Sequence, residues 1–307
     1  MSKLYDIIII GGGPAGIASA LYAARQNLNF VMISEDIGGL TNFVPSLKTY
    51  LGFYYLTGYE LIEKFKEHLL HYKVPIVKER AQTVVKKKGY FEVVTGNNKK
   101  YMTRAILVTT GRRFMHLKAK GASKFLGKGL SLCTACDGPL FKDKTVAVIG
   151  GGRSGLFASL FLLELAKKIY LIERDKDIKS AGALRDIGKT LRKNKKVHIM
   201  TETSVKEIKG DKFVNSIVVE KNGKEKTIKL EGVFVEIGYI PNTEFIKHLV
   251  DTNGRGEIIV DAEGRSSQKG IFAAGDVTHI KEKQVMVACG EGAKALLTAV
   301  TYIEKNK

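Results

Sequence analysis

The sequence predicts an α/β fold made of two doubly wound units, and three observations carry that prediction. A strand, glycine turn and helix pattern near the N-terminus recurs 139 residues later, from Gly11 to Gly150. At 307 residues the chain is too long for one small core. It holds 32 glycines against 5 prolines, a composition that points to glycine-rich turns rather than disorder.

In order along the chain, Tyr5-Asp6-Ile7-Ile8-Ile9-Ile10 reads as a buried strand, followed by Gly11-Gly12-Gly13-Pro14-Ala15-Gly16, a helix over 17–25 and a second strand over 29–34. Thr145-Val146-Ala147-Val148-Ile149 leads in the same way into Gly150-Gly151-Gly152-Arg153-Ser154-Gly155, a helix over 156–167 and a strand over 168–173. Each copy is a Rossmann-like dinucleotide-binding fingerprint. Gly11 and Gly150 make the tight turn, Gly13 and Gly152 let backbone approach a pyrophosphate, and Gly16 and Gly155 let helix pack on strand. The helix start, with Pro14 and Ala15 in the first copy, offers free N–H groups to phosphate. Glu35, 19 residues beyond Gly16, and Glu173, 18 beyond Gly155, are the carboxylates placed for ribose hydroxyls, with Asp36 an alternative to Glu35.

Other classes are disfavoured. No apolar run reaches the roughly 18 residues of a membrane helix, and the N-terminus lacks a signal-peptide pattern. Three cysteines do not make a secreted disulfide scaffold, so the expected location is cytoplasmic. The net charge is +19, and residues 113–242 carry 26 Lys/Arg against 14 Asp/Glu, a net of +12. Solvated lysines or a face for an acidic protein explain this excess; nucleic acid is disfavoured because the lysines are scattered and no aromatic platform accompanies them.

Cys133 and Cys136 form a C-x-x-C pair, which is either a reversible disulfide or half of a zinc site. Zinc requires two more ligands, and Cys289 stands alone; His68, His71, His116, His198, His248 and His279 form no spaced cluster. No metal is expected. Cys289 reads as a packed residue.

Further stretches carry a family likeness: Gly38-Gly39, Tyr50-Leu51-Gly52-Phe53 with Thr57-Gly58, the segment ending Thr109-Thr110-Gly111, Cys133-Thr134-Ala135-Cys136-Asp137-Gly138, Gly238-Tyr239-Ile240-Pro241-Asn242-Thr243 and Ala274-Gly275-Asp276. In order and spacing the chain resembles the low-molecular-weight thioredoxin reductases and the flavin half of alkyl-hydroperoxide reductase flavoproteins. The resemblance implies two nested domains, an FAD domain from 1–112 and 243–307 with a pyridine-nucleotide domain, 113–242, inserted in it. It implies a homodimer, a stand-alone reductase, and a cycle in which the inserted domain turns between two arrangements. Cys136 would exchange electrons with the flavin, Cys133 would attack a thioredoxin- or glutaredoxin-like protein, and Asp137 would move the proton. Thr110, Gly111, Gly275 and Asp276 would help hold FAD, and Glu291 with Gly292 would open a helix over 290–302 whose start faces the ring.

The second fingerprint departs from NADPH-dependent relatives. Gly155 replaces an alanine, and Glu173-Arg174-Asp175-Lys176 stands where those relatives carry His-Arg-Arg. A carboxylate at Glu173 suits a free 2′-hydroxyl and repels a 2′-phosphate, so NADH is expected over NADPH. An acidic ferredoxin or a reduced deazaflavin delivering electrons past a decayed nucleotide site is the alternative. A flavin or ferredoxin–nucleotide reductase is disfavoured by the dithiol, and a non-catalytic flavin sensor is the reading from another class. Near the flavin, Leu40 follows Gly38-Gly39 where relatives have Gln, and Thr49 replaces a frequent Asn.

Overall fold

The computed structural model describes residues 3–44 and 46–306, together with every side chain in them but that of Ala183. The chain forms two compact units, Met1–Arg113 with Ile240–Lys307, and Phe114–Tyr239. The crossings between them run as short strands, Arg112–Phe114 and Tyr239–Pro241, which pair with each other.

In the first unit Leu4–Ile10 lies between Phe30–Ile33 and Lys100–Val108, parallel to both, with Ile7 opposite Phe30 on one side and Ala105 on the other. Ile76–Val77 extends the sheet beyond Phe30–Ile33, and Ile271–Ala273 pairs with the C-terminal half of Lys100–Val108. The N-terminal half of that long strand pairs antiparallel with Phe91–Thr95, which pairs in turn with Ala81–Lys86. Side chains alternate across a strand. Ile7 and Ile9 therefore join the core under the helices Pro14–Arg25 and Val285–Lys305, whereas Ile8 and Ile10 join Phe245, Ile246 and Ile258 on the other face. Burial on both faces is why this strand is an unbroken isoleucine run.

The second unit repeats the plan in the order Val197–Met200, Lys168–Ile172, Thr145–Ile149, Gly232–Val235, Leu130–Ser131, all parallel. Val146 and Val148 pack against Leu156 and Leu162 of the helix Arg153–Leu162. Ala147 and Ile149 face a different layer, the antiparallel meander Ser204–Gly210, Val214–Lys221 and Lys224–Lys229, through Val205, Ile217 and Val219. Two expected helices have different bounds. The second helix runs over Arg153–Leu162 rather than to 167, and the chain passes through a turn over 163–165 before the next strand. The last helix begins at Val285 and not 290, so Glu291 lies in its second turn instead of at its start. Its opening Val285-Met286-Val287-Ala288 is apolar without helical spacing, which hid it from periodicity.

Candidate active site

Both glycine turns have the same construction. Gly11 and Gly150 have φ of +116° and +110°, and a Cβ on either would sit 2.4 Å from the carbonyl oxygen of Thr109 or Glu236. Gly16 and Gly155 lie against the carbonyl oxygens of Gly11 and Gly150, where a Cβ would come within 1.9 and 1.7 Å. Gly13 and Gly152 differ, because a Cβ there would meet nothing. Packing within the protein does not demand glycine at these two positions, whereas a phosphate closing on the backbone does. Pro14 opens the first helix, where its missing N–H breaks no bond.

Several expected groups gather around the first turn. The Gly38 N–H donates to the Gly12 carbonyl at 2.7 Å, which draws Gly38-Gly39 to the turn. Ala15 is buried, and its carbonyl lies where a Cβ on Gly292 would be, at 2.2 Å, so the first and last helices pack almost backbone to backbone. Ser19 Oγ fixes that contact by donating to the carbonyls of Ala15 and Gly292. Glu291 accepts a hydrogen bond from the Gly275 N–H at 2.8 Å, and partial burial raises its pKa. Asp276 forms a 2.8 Å ion pair with Arg112. Thr110 and Asn242 exchange two hydrogen bonds, from Thr110 Oγ1 to the Asn242 carbonyl and from Asn242 Nδ2 to the Thr110 carbonyl, and Gly111 accepts from the Asn242 N–H.

The two acidic candidates are placed differently. Glu173 is buried at the end of its strand, with its carboxylate accepting from the Gly151 N–H at 2.6 Å and the Asp175 N–H at 3.0 Å. Glu35 is exposed, as is Asp36. The position matching Glu173 in the first unit is Ser34, whose hydroxyl donates to the Asp36 carbonyl beside Gly12. The 139-residue repeat pairs Ser34 with Glu173, and that spacing is the signal that locates it.

The dithiol sits on a short helix, Thr134–Asp137, after the strand Leu130–Ser131. Cys133 and Cys136 are joined as a disulfide. Cys133 is the helix N-cap, half-buried, and its sulfur accepts from the Cys136 N–H at 3.2 Å; Cys136 is exposed. The Asp137 N–H donates to the Cys133 carbonyl, and its side chain is half-buried. Thr134, buried between the cysteines, donates to Glu236 Oε1 at 2.7 Å. Partial burial raises the Glu236 pKa against the hydrogen bonds from Thr134 and Ser154. Thr134 lies inside the cysteine motif but Glu236 carries no motif signal, and only the fold brings them together. Cys289 stands apart in the first unit, hydrogen-bonded with Tyr50, and burial pushes its thiol up to about 11. Among the described residues no cluster of three or more His, Cys, Asp or Glu is arranged to hold a metal, and no helix is long and apolar enough to cross a membrane.

The family described as "Pyridine nucleotide-disulphide oxidoreductase" matches residues 5–292. An alkyl hydroperoxide reductase component of Pseudomonas aeruginosa is 38% identical over 306 residues, covering 97% of this chain and 58% of the relative. A Bacillus subtilis protein named NADH dehydrogenase is 35% identical over 304 residues, covering 98% and 59%. The chain thus spans somewhat under three fifths of these curated relatives. Among solved structures, the thioredoxin reductase of T. acidophilum superposes with a TM-score of 0.81 at 35% identity, covering 100% of both chains.

Proposed function

Because the chain belongs to the pyridine nucleotide-disulphide oxidoreductase family, we propose that it is an FAD-dependent reductase of protein disulfides, fed by NADH and working through Cys133 and Cys136. The observation that carries this reading is the Cys133–Cys136 disulfide, held at a helix start where a backbone N–H donates to the Cys133 sulfur. Such a donor stabilises the thiolate at Cys133 once the bond is reduced, which fits Cys133 as the group that attacks a thioredoxin- or glutaredoxin-like partner. Asp137, the last residue of the same short helix, is the group assigned to proton transfer.

The first glycine turn, Glu35, Gly38-Gly39, Thr110-Gly111, Gly275-Asp276 and Glu291 would hold FAD, and the open Cβ direction at Gly13 fits the approach of its pyrophosphate. FAD supplies two-electron chemistry between donor and dithiol. Gly150, Gly152 and Gly155 would hold the nicotinamide nucleotide, with Glu173 beside the turn. Its carboxylate, fixed by two backbone N–H groups, would repel a 2′-phosphate on a nucleotide bound at this turn. The name of the Bacillus relative supports NADH further.

Two experiments test this. NADH is expected to bleach the bound flavin at micromolar concentration, with NADPH at least about tenfold less effective; equal rates refute the role of Glu173. Cys136→Ser is expected to keep flavin and its bleaching, to lose disulfide turnover, and to trap the partner on Cys133. Full turnover in this variant refutes the dithiol assignment, and trapping by Cys133→Ser instead reverses the two roles. The net charge of +12 on 113–242 favours one second reading, an acidic ferredoxin as donor. Bleaching by reduced ferredoxin with neither nucleotide active would select it.

A further inference from the structure

Glu236 is at the carboxyl end of the strand Gly232–Val235, beside Gly150, where the strand order of the second sheet changes direction and ligands of such sheets bind. The first unit supplies an internal control. There Thr109 follows Val108 as Glu236 follows Val235, and both residues donate a backbone N–H at 2.8 Å, to Ile10 and Ile149 respectively. Both carbonyls lie 2.4 Å from where a Cβ on the turn glycine would be. Thr109 turns its hydroxyl back onto the carbonyls of Ile10 and Gly11, so it is satisfied within its own turn. Glu236 instead extends a carboxyl to Thr134, one of the two residues between the cysteines.

We propose that Glu236 is a positioning residue that sets the proton affinity and reducing power of the Cys133/Cys136 dithiol, through its carboxyl on Thr134. The inference rests on Cys133/Cys136 being the working dithiol. The carboxyl has hydroxyl and backbone N–H partners and no ion-pair partner among its described interactions. The other titratable groups on the elements around it are Asp137 and the two cysteines of the dithiol helix, and Arg153 at the start of the helix after the second glycine turn; Glu173 lies one strand further away, just past Lys168–Ile172, and bonds the Gly151 N–H. Arg153 lies over the Phe157 ring.

When two molecules of a small thiol such as glutathione reduce this disulfide, the S–S bond takes two electrons and one proton to give one thiol and one thiolate, and the two reductant molecules join as a disulfide and release their other proton to water. An ionised Glu236 opposes the new thiolate, so its own affinity for a proton rises and it takes one from water. Reduction is therefore coupled to a proton at Glu236. In the first unit the same position, being threonine, has no such charge.

The test uses flavin-loaded protein equilibrated with glutathione buffers across pH, with thiolate followed by ultraviolet absorbance. Glu236→Gln is expected to lower the pKa of the reactive thiol by about one unit, and to shift the exchange equilibrium toward the dithiol by about tenfold, or about 30 mV, at alkaline pH. The difference from wild type should vanish on the acid side, where Glu236 is already neutral. Glu236→Met, which fills similar volume without charge, should give the same profile. Unchanged thiol pKa and potential in both variants, or a difference independent of pH, would overturn the proposal. A wild-type protein unable to turn over protein disulfides would refute the functional reading, whereas active wild type with a flat variant profile would refute only the role of Glu236.

Discussion

Glu236 and Cys289 show how burial assigns chemistry at single residues. Burial raises the Glu236 pKa above its ordinary value, so the folded state binds that proton more tightly than the unfolded chain does. Its contribution to stability is therefore complete below the unfolded carboxylate pKa and is lost as pH rises through the folded one. Urea midpoints of wild type and Glu236→Gln should diverge as pH rises above the ordinary carboxylate range, with the variant becoming relatively more stable; converging midpoints would contradict this. At Cys289 burial pushes the thiol up to about 11. Iodoacetamide at neutral pH is expected to label the reduced Cys133/Cys136 pair at least about tenfold faster than Cys289. Comparable rates by mass spectrometry would show a third reactive thiol.

At the scale of elements, the two glycine turns separate ligand approach from packing. Gly155→Ala would push a Cβ to 1.7 Å from the Gly150 carbonyl, and is expected to destabilise by about 1–3 kcal/mol or more. Gly152→Ala meets nothing in the protein. It should unfold like wild type while weakening reduction of the flavin by NADH about tenfold or more, since its methyl points where phosphate would lie. A Gly152→Ala variant with unchanged NADH kinetics would remove this turn from the nucleotide site. The helix Gly58–His71 is held at its start by a capping box between Thr57 and Glu60. Thr57→Ala should cost about 1 kcal/mol in denaturant unfolding with little effect on the dithiol.

For the molecule as a whole, charge is unevenly distributed: residues 113–242 carry a net of +12 of the total +19. Many of these lysines pair locally, as Lys206 does with Glu220 and Lys120 with Glu207. Exposed pairs of this kind add little stability, so the surplus bears on association more than on folding. With an acidic disulfide partner, kcat/KM should fall several-fold between about 50 and about 300 mM salt, while kcat holds. A salt-independent kcat/KM would assign these lysines to solvation alone.

The repeated strand, glycine turn and helix were legible in the sequence because their demands are local: a positive φ at Gly11, no Cβ at Gly16, and isoleucines buried on both faces of one strand. Cys133 and Cys136 were legible for the same reason, since three residues of spacing place them on one turn. What the sequence left open depends on neighbours distant in the chain. Glu35 satisfies the expected spacing, but the sequence does not show that the strand ends at Ile33, that Ser34 faces Gly12 or that Glu35 stands exposed beyond it. Glu291 reads as a helix opener, yet it lies one turn further in and bonds the Gly275 N–H. Glu236 has no motif at all. It acquires chemistry only because a parallel sheet sets the end of Gly232–Val235 beside Gly150, with Thr134 within hydrogen-bonding reach. Local backbone rules therefore determined the glycine turns and the cysteine pair, and tertiary packing decided which carboxyl stands behind that pair, because burial and distance between remote segments exist only in the folded chain.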